Sequence, residues 1–151
     1  MWNNLDEFAE WYKSNRHPFK PQARDPLYTT NNSISTVIFR KDRYQVELYY
    51  MKPNSTIPQV PAPGVENQVL FLSGTISGHK DGQVIFDSEL FADQINNDGS
   101  NILYNTIFKL DNSNLDVVTT GNKGACLMSI QKWDDGIEMT SMSRQKGLAL
   151  N

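Results

Sequence analysis

Apolar and polar residues alternate with a period of two along most of this chain, and the alternation breaks at short intervals at glycine, proline, asparagine or aspartate. That pattern predicts short strands, each with one buried and one wet face, joined by turns. The exception comes first. Leu5, Phe8, Ala9 and Tyr12 fall at i, i+3, i+4 and i+7 behind Asn3 and Asn4, so a short amphipathic helix is expected over 4–14, capped by asparagine. Trp2 and Trp11 flank its apolar stripe and are expected to pack the helix on the body of the domain. The alternative makes Trp2, Phe8 and Trp11 anchors for a partner or a second subunit. Residues 15–32 carry three prolines and no period, which reads as an extended arm, with His17 at its surface.

Strands are expected at 33–40 (SISTVIFR) and 43–52, the second placing Tyr44, Val46, Leu48 and Tyr50 inward and Gln45 and Glu47 in water. The loop 53–64 has prolines at 53, 58, 61 and 63 and is excluded as a central strand, because each proline removes a ladder donor. A strand ending at Gly74 follows, then a turn over His79, Lys80, Asp81 and Gly82, with His79 exposed at its tip. The returning strand, 83–91, turns Val84, Phe86 and Leu90 inward. Further strands are expected at 102–110, 115–120, 125–133 and 136–142, separated by a polar connection at 92–101 and turns at 111–114, 121–124 and 134–136. About eight short strands at even spacing imply an all-β antiparallel sandwich or barrel. The organisation read from this is a helix and arm at 1–32, a barrel at 33–142 and a tail at 143–151 laid on a neighbour.

Composition narrows the picture. A chain of 151 residues, 38% hydrophobic and 21% charged, fits one globular domain. A formal net charge of −3 gives nucleic-acid binding no electrostatic support. No apolar run approaches the roughly 20 residues that cross a bilayer, and the N-terminus lacks a leader pattern, so the expected location is cytoplasmic. Cys126, the single cysteine, sits in GACLMSIQKW and is expected to be an inert core residue, with nothing near it to favour a thiolate. No G-x-S-x-G, Walker-type G-x4-G-K-[ST] or H-E-x-x-H motif occurs, which leaves nucleophilic hydrolysis and phosphoryl transfer without support.

One stretch carries a family likeness. The first cupin motif, G-x5-H-x-H-x(3,4)-E-x6-G, aligns with Asn54-x5-Val60-x-Ala62-x4-Asn67-x6-Gly74, and APGVENQVLFLSG resembles the corresponding stretch of small stand-alone cupins. Asn54 suits the leading glycine position because asparagine tolerates the left-handed backbone, and Glu66 stands beside the expected glutamate. The second motif keeps only its register, over Tyr104 to Thr119, while TTGNKGACLMSIQKW is similar to a cupin closing strand. The resemblance, over residues 35–133, implies an antiparallel jelly-roll (RmlC-like) barrel.

Cupin enzymes hold Fe, Mn, Ni or Zn with three histidines and a glutamate. The histidine positions here read Val60, Ala62 and Leu115, and the whole chain has two histidines, His17 and His79. A three-histidine site cannot form within one chain, and a carboxylate site of Glu66 with Asp111 or Asp116 lacks calcium-loop spacing. No metal and no cofactor are expected, and the interior is expected to be dry. The reading is therefore a non-catalytic, metal-free cupin-like protein acting as a structural, accessory or interaction module. Its compact domain with an arm looks like what a bacteriophage would encode, which would place it in the host cytoplasm or the virion. The alternative is a small-ligand protein holding a sugar- or nucleotide-like molecule at the barrel mouth with Tyr50, Glu66, Asn67, Gln68, Tyr104 and Lys109; a metal-independent epimerase type has weaker support still. Cupins dimerise through sheet faces or exchanged N-terminal strands, so a homodimer or higher assembly, or a protein partner, is expected.

Overall fold

The N-terminal helix forms as α1 (Leu5–Asn15) in the computed structural model, which describes residues 1–15, 27–58, 62–88, 107–108 and 116–142. Asn4 Oδ1 accepts from the Glu7 amide at 2.9 Å, the N-cap bond that satisfies one orphaned donor of the first turn, while Glu7 Oε2 accepts from the Asn3 amide at 2.8 Å and ties down the residue before the cap. Leu5, Phe8, Ala9 and Tyr12 are buried, the stripe expected from their spacing.

Eight strands follow among the described residues: β1 (Tyr28–Thr29), β2 (Ser33–Lys41), β3 (Tyr44–Met51), β4 (Thr56–Pro58), β5 (Val65–Lys80), β6 (Gln83–Asp87), β7 (Ile107–Phe108) and β8 (Val117–Trp133). All pairings are antiparallel, in the order β1-β2-β3-β8-β5-β6, with β4 on β8 and β7 on β5. Among its described residues the proline loop supplies only the three-residue β4, in keeping with its lost donors.

Two strands are longer than expected. β5 does not end at Gly74 but continues to Lys80, its register shifting on both sides of Gly74, and β8 runs unbroken through the segment expected to turn at 121–124. Each has a bend instead of a turn, and the bends touch. Gly74 has φ 90° and Gly124 φ 70°; a Cβ on Gly74 would lie 2.1 Å from the Gly124 carbonyl oxygen, and one on Gly124 2.4 Å from that of Met51. Only glycine lets three backbones approach this closely at positive φ. Asn54 also adopts the left-handed backbone, φ 53°, as its place in the motif suggested. At the hairpin tip, Asp81 and Gly82 both have positive φ, 51° and 78°, the twist that matches paired strands.

Side-chain alternation gives the sheet two faces. One is covered by α1: Ile38, Tyr44, Val46, Leu70, Met128 and Ile130 pack against Leu5, Phe8, Ala9 and Tyr12. Phe8 is fully buried and lies 4.7 Å from Trp2 and 4.9 Å from Tyr44, ring centre to ring centre, whereas Trp2 and Trp11 are half-buried on the same cluster. On the other, inner face, one end is apolar, built from Tyr49, Val69, Phe71, Ile76, Val118, Ala125 and Leu127.

Three further expectations are overturned. Gln45 and Glu47 are not in water but fully buried, while Tyr50, expected inward, is 42% exposed. Val84, expected inward on β6, is 57% exposed. Residues 136–142 form no strand; after the 134–137 turn they lie across the inner face, held by side-chain hydrogen bonds. The side chain of Phe86, the arm at 16–26 with His17, Leu90, the connection at 92–101 and the tail lie outside the described residues, as does the strand expected at 102–110 apart from Ile107 and Phe108.

Candidate functional site

Gln45 and Glu47 on β3 pair in register with Gln131 and Ser129 on β8, which pair in turn with Asn67 and Val69 on β5. Residues opposite one another share a face, so five polar side chains meet at the second end of the inner face. Burial forces them to pair. Glu47 accepts four hydrogen bonds: Gln131 Nε2 at 3.1 Å and the Met142 amide at 2.8 Å on Oε1, Ser35 Oγ at 2.7 Å and Ser141 Oγ at 2.5 Å on Oε2.

The amides form a directional chain. Arg40 Nε donates to Gln45 Oε1 at 2.7 Å, and Gln45 Nε2 donates to Gln131 Oε1 at 2.9 Å and to the Thr140 carbonyl at 2.7 Å. Gln131 Oε1 also accepts from Trp133 Nε1 at 2.9 Å, and its Nε2 donates to Ser129 Oγ at 3.0 Å as well as to Glu47. Ser129 Oγ in turn donates to Asn67 Oδ1. The nitrogens of Gln45 and Gln131 each serve two acceptors, so both amide orientations are set by the network.

Below this seam lies an apolar patch of Ala62, Trp133 and Met142, flanked by Val65, Ile137 and Met139. Ala62 occupies a histidine position of the metal motif, and its buried surroundings are hydrophobic; Val60 and Leu115, the other two, lie outside the described residues. Among the described residues no three His, Cys, Asp or Glu side chains cluster as metal ligands, and the four donors on Glu47 already use both its oxygens. The described donor set does not fit the three-histidine, one-glutamate metal that the motif implies elsewhere.

Of the residues expected at the barrel mouth, the described ones do not share one face. Asn67 faces inward on Ser129, but its neighbours Glu66 and Gln68 point to the other side, Gln68 donating to Asp6 of α1 and Glu66 exposed. Tyr50 is on the face opposite Glu47, beside Cys126 in register, and Tyr104 and Lys109 lie outside the described residues. Strand alternation separates consecutive residues, so Glu66, Asn67 and Gln68 cannot share one pocket. Sequence reading missed Ser35, Gln45, Glu47, Ser129, Gln131 and Ser141. A signal existed in the polar doublets Gln45/Glu47 and Ser129/Gln131, spaced by two within apolar strands, but a doublet of that kind ordinarily marks a wet face.

His79 sits within β5, half-buried, with Nε2 3.1 Å from Thr119 Oγ1, which also meets Ser77 Oγ at 2.9 Å, so it is a strand residue and not a turn tip. Cys126 is half-buried, and burial pushes its thiol above the ordinary value, in line with an unreactive side chain.

No family model and no curated protein matches the chain. Solved structures do match in fold. The cupin domain of Schizosaccharomyces pombe Cnp3 aligns with 83% of this chain and 77% of its own at a TM-score of 0.50 and 11% identity. KdgF from Halomonas sp. aligns with 80% of this chain and 91% of its own, TM-score 0.47 and 6% identity. A Klebsiella pneumoniae protein with a double-stranded β-helix domain aligns over 90% and 92%, TM-score 0.42 and 13% identity. The likeness to the first of these, together with the antiparallel topology, gives the chain the cupin fold. Among the described residues no helix is long and apolar enough to cross a membrane.

Proposed function

We propose that this chain is a non-catalytic, metal-free cupin-fold module that acts as a structural or interaction component, with the polar end of its inner face used to hold its own C-terminal segment. The observation that carries this reading is the saturation of Glu47: its four donors come from the protein itself, two of them from Ser141 and Met142. A carboxylate recruited for acid–base chemistry or ligand capture needs a vacant direction toward the incoming group. Here both oxygens are turned to the chain's own hydroxyls and N–H groups. An assembly role, and a phage-encoded accessory protein in the host cytoplasm or the virion, belong to the same reading, with Trp2 and Trp11, half-buried on the α1 cluster, as the aromatic residues a partner would cover.

A thermal-shift series on the full chain tests it. Divalent Mg, Mn, Fe and Zn, monosaccharides and nucleotides at millimolar concentration are expected to leave Tm unchanged, since a ligand that binds only the native state raises it by mass action. A concentration-dependent rise that Asn67→Ala removes would overturn the proposal in favour of a ligand-binding protein.

A further inference from the structure

We infer that residues 137–142 form a strap that can be exchanged between two copies of this chain, each barrel end receiving the strap of the other. The inference deepens the interaction reading above by naming the partner as a second copy. It starts from how the strap is held. Three alternate residues, Arg43 at the head of β3 and Gln45 and Glu47 within it, address it in order along its length: the Arg43 guanidinium donates to the carbonyl oxygens of Asp134 and Ile137, the Gln45 amide to that of Thr140 at 2.7 Å, and Glu47 accepts from the Met142 amide at 2.8 Å. These contacts go to main-chain atoms. β3 therefore reads the strap through its main chain, in the way a receptor groove reads a bound segment. Met142 adds an apolar anchor, buried against Trp133 and Ala62.

The connection to the strap is suited to opening. Asp134 is fixed to the body, its amide donating to the Gly64 carbonyl at 2.8 Å and its carbonyl accepting from Arg43, so the opening point is Asp135 and Gly136: both are exposed, Gly136 has φ 86°, and a Cβ there would meet nothing within 4 Å. A short exposed hinge between β8 and a strap held largely by hydrogen bonds is the arrangement in which identical segments trade places at little cost, because the exchanged dimer makes the same contacts. In cis the strap competes at an effective concentration of about 1 mM, so exchange in the natural chain becomes visible only as protein concentration nears that range.

Shortening the hinge tests this. In a full chain lacking Asp135 and Gly136 the strap cannot fold back on its own β3, and light scattering after size exclusion is expected to show dimers at about 10 µM, at least a tenfold lower concentration than the natural chain requires. Adding Ser141→Asp, which sets a second carboxylate against Glu47, is expected to return monomers. A folded monomer of the shortened chain, or a dimer that Ser141→Asp leaves intact, overturns the inference. Should the shortened chain fail to fold, co-expression of two full chains, one carrying Glu47→Lys and the other Ser141→Asp, decides. A heterodimer restores the natural contact at one groove and sets the introduced ammonium against the introduced carboxylate at the other; recovery of no heterodimer counts against exchange. The two readings fail separately: a dimer indifferent to the strap retains the interaction module and removes exchange, while ligand binding removes the module and leaves exchange standing.

Discussion

Replacing Glu47 separates what the carboxylate does by shape from what it does by charge. In Glu47→Ala the acceptor vanishes and four donors, Ser35 Oγ, Ser141 Oγ, Gln131 Nε2 and the Met142 amide, lose their partner inside a fully buried site. Removing one member of a buried polar network costs about 3–5 kcal/mol, a large share of the roughly 5–15 kcal/mol that holds a domain folded. At about 2–4 °C per kcal/mol for a chain of this size, Tm is expected to fall by roughly 6–20 °C. Glu47→Gln behaves differently. Its carbonyl can replace Oε1 and keep the Gln131 and Met142 donors, and its NH2 replaces Oε2 against two serine hydroxyls that can rotate to accept. The expected loss is about 1 kcal/mol. Urea unfolding followed by tryptophan fluorescence is the assay, since Trp133 is buried and bonded to Gln131 within the same network. Were Glu47→Ala within about 1 kcal/mol of the natural chain, or Glu47→Gln as costly as Glu47→Ala, the account of a shape-defined acceptor hub would be refuted.

Two further outcomes follow from local geometry. Gly124→Ala is expected to destabilise by at least about 2 kcal/mol, combining a left-handed backbone with a Cβ 2.4 Å from the Met51 carbonyl oxygen, whereas Gly82→Ala, also left-handed but in open space, is expected to cost only about 1–2 kcal/mol; paired chemical denaturation ranks them, and equal losses would refute the close-approach argument. Asp116 accepts from the Asp81 amide at 2.8 Å and lies 3.4 Å from Lys80 Nζ, and these hold its carboxyl below the ordinary 3.8, the amide bond contributing most. A depressed carboxylate stabilises the fold above its unfolded value and loses that contribution as pH falls through the folded value. The Tm advantage over Asp116→Asn is therefore expected at neutral pH and should fade on acidification; an advantage that is constant with pH would refute it.

Much of the fold was legible because it follows from local rules. The i, i+3, i+4 spacing behind Asn4 marked α1, Asp81-Gly82 marked a hairpin, and the prolines at 53, 58, 61 and 63 kept that loop out of the sheet's centre. The glycines were harder. Gly74 and Gly124 read as strand ends because glycine ordinarily punctuates, yet each sits at a bend inside a long strand. That use depends on another backbone standing opposite, and no local window contains it. The site was legible only as an absence, the apolar residues in place of histidine at 60, 62 and 115.

What the chain determines by itself is the alternation of its strands, the capped helix, the positive-φ turns and the lack of a histidine triad, since each depends on neighbours within a few residues or on composition alone. What tertiary structure decides is which face of β3 is buried. Alternation states that Tyr44, Val46 and Leu48 oppose Gln45 and Glu47, but α1 covers the first set while Ser35, Gln131 and residues 137–142 close over the second. Both faces are thereby removed from water, and a glutamate read as solvated becomes the acceptor at the centre of the barrel end. The partners that make this tolerable stand 12, 84 and 94 residues away in the chain, a separation that only the folded sheet brings within hydrogen-bond distance.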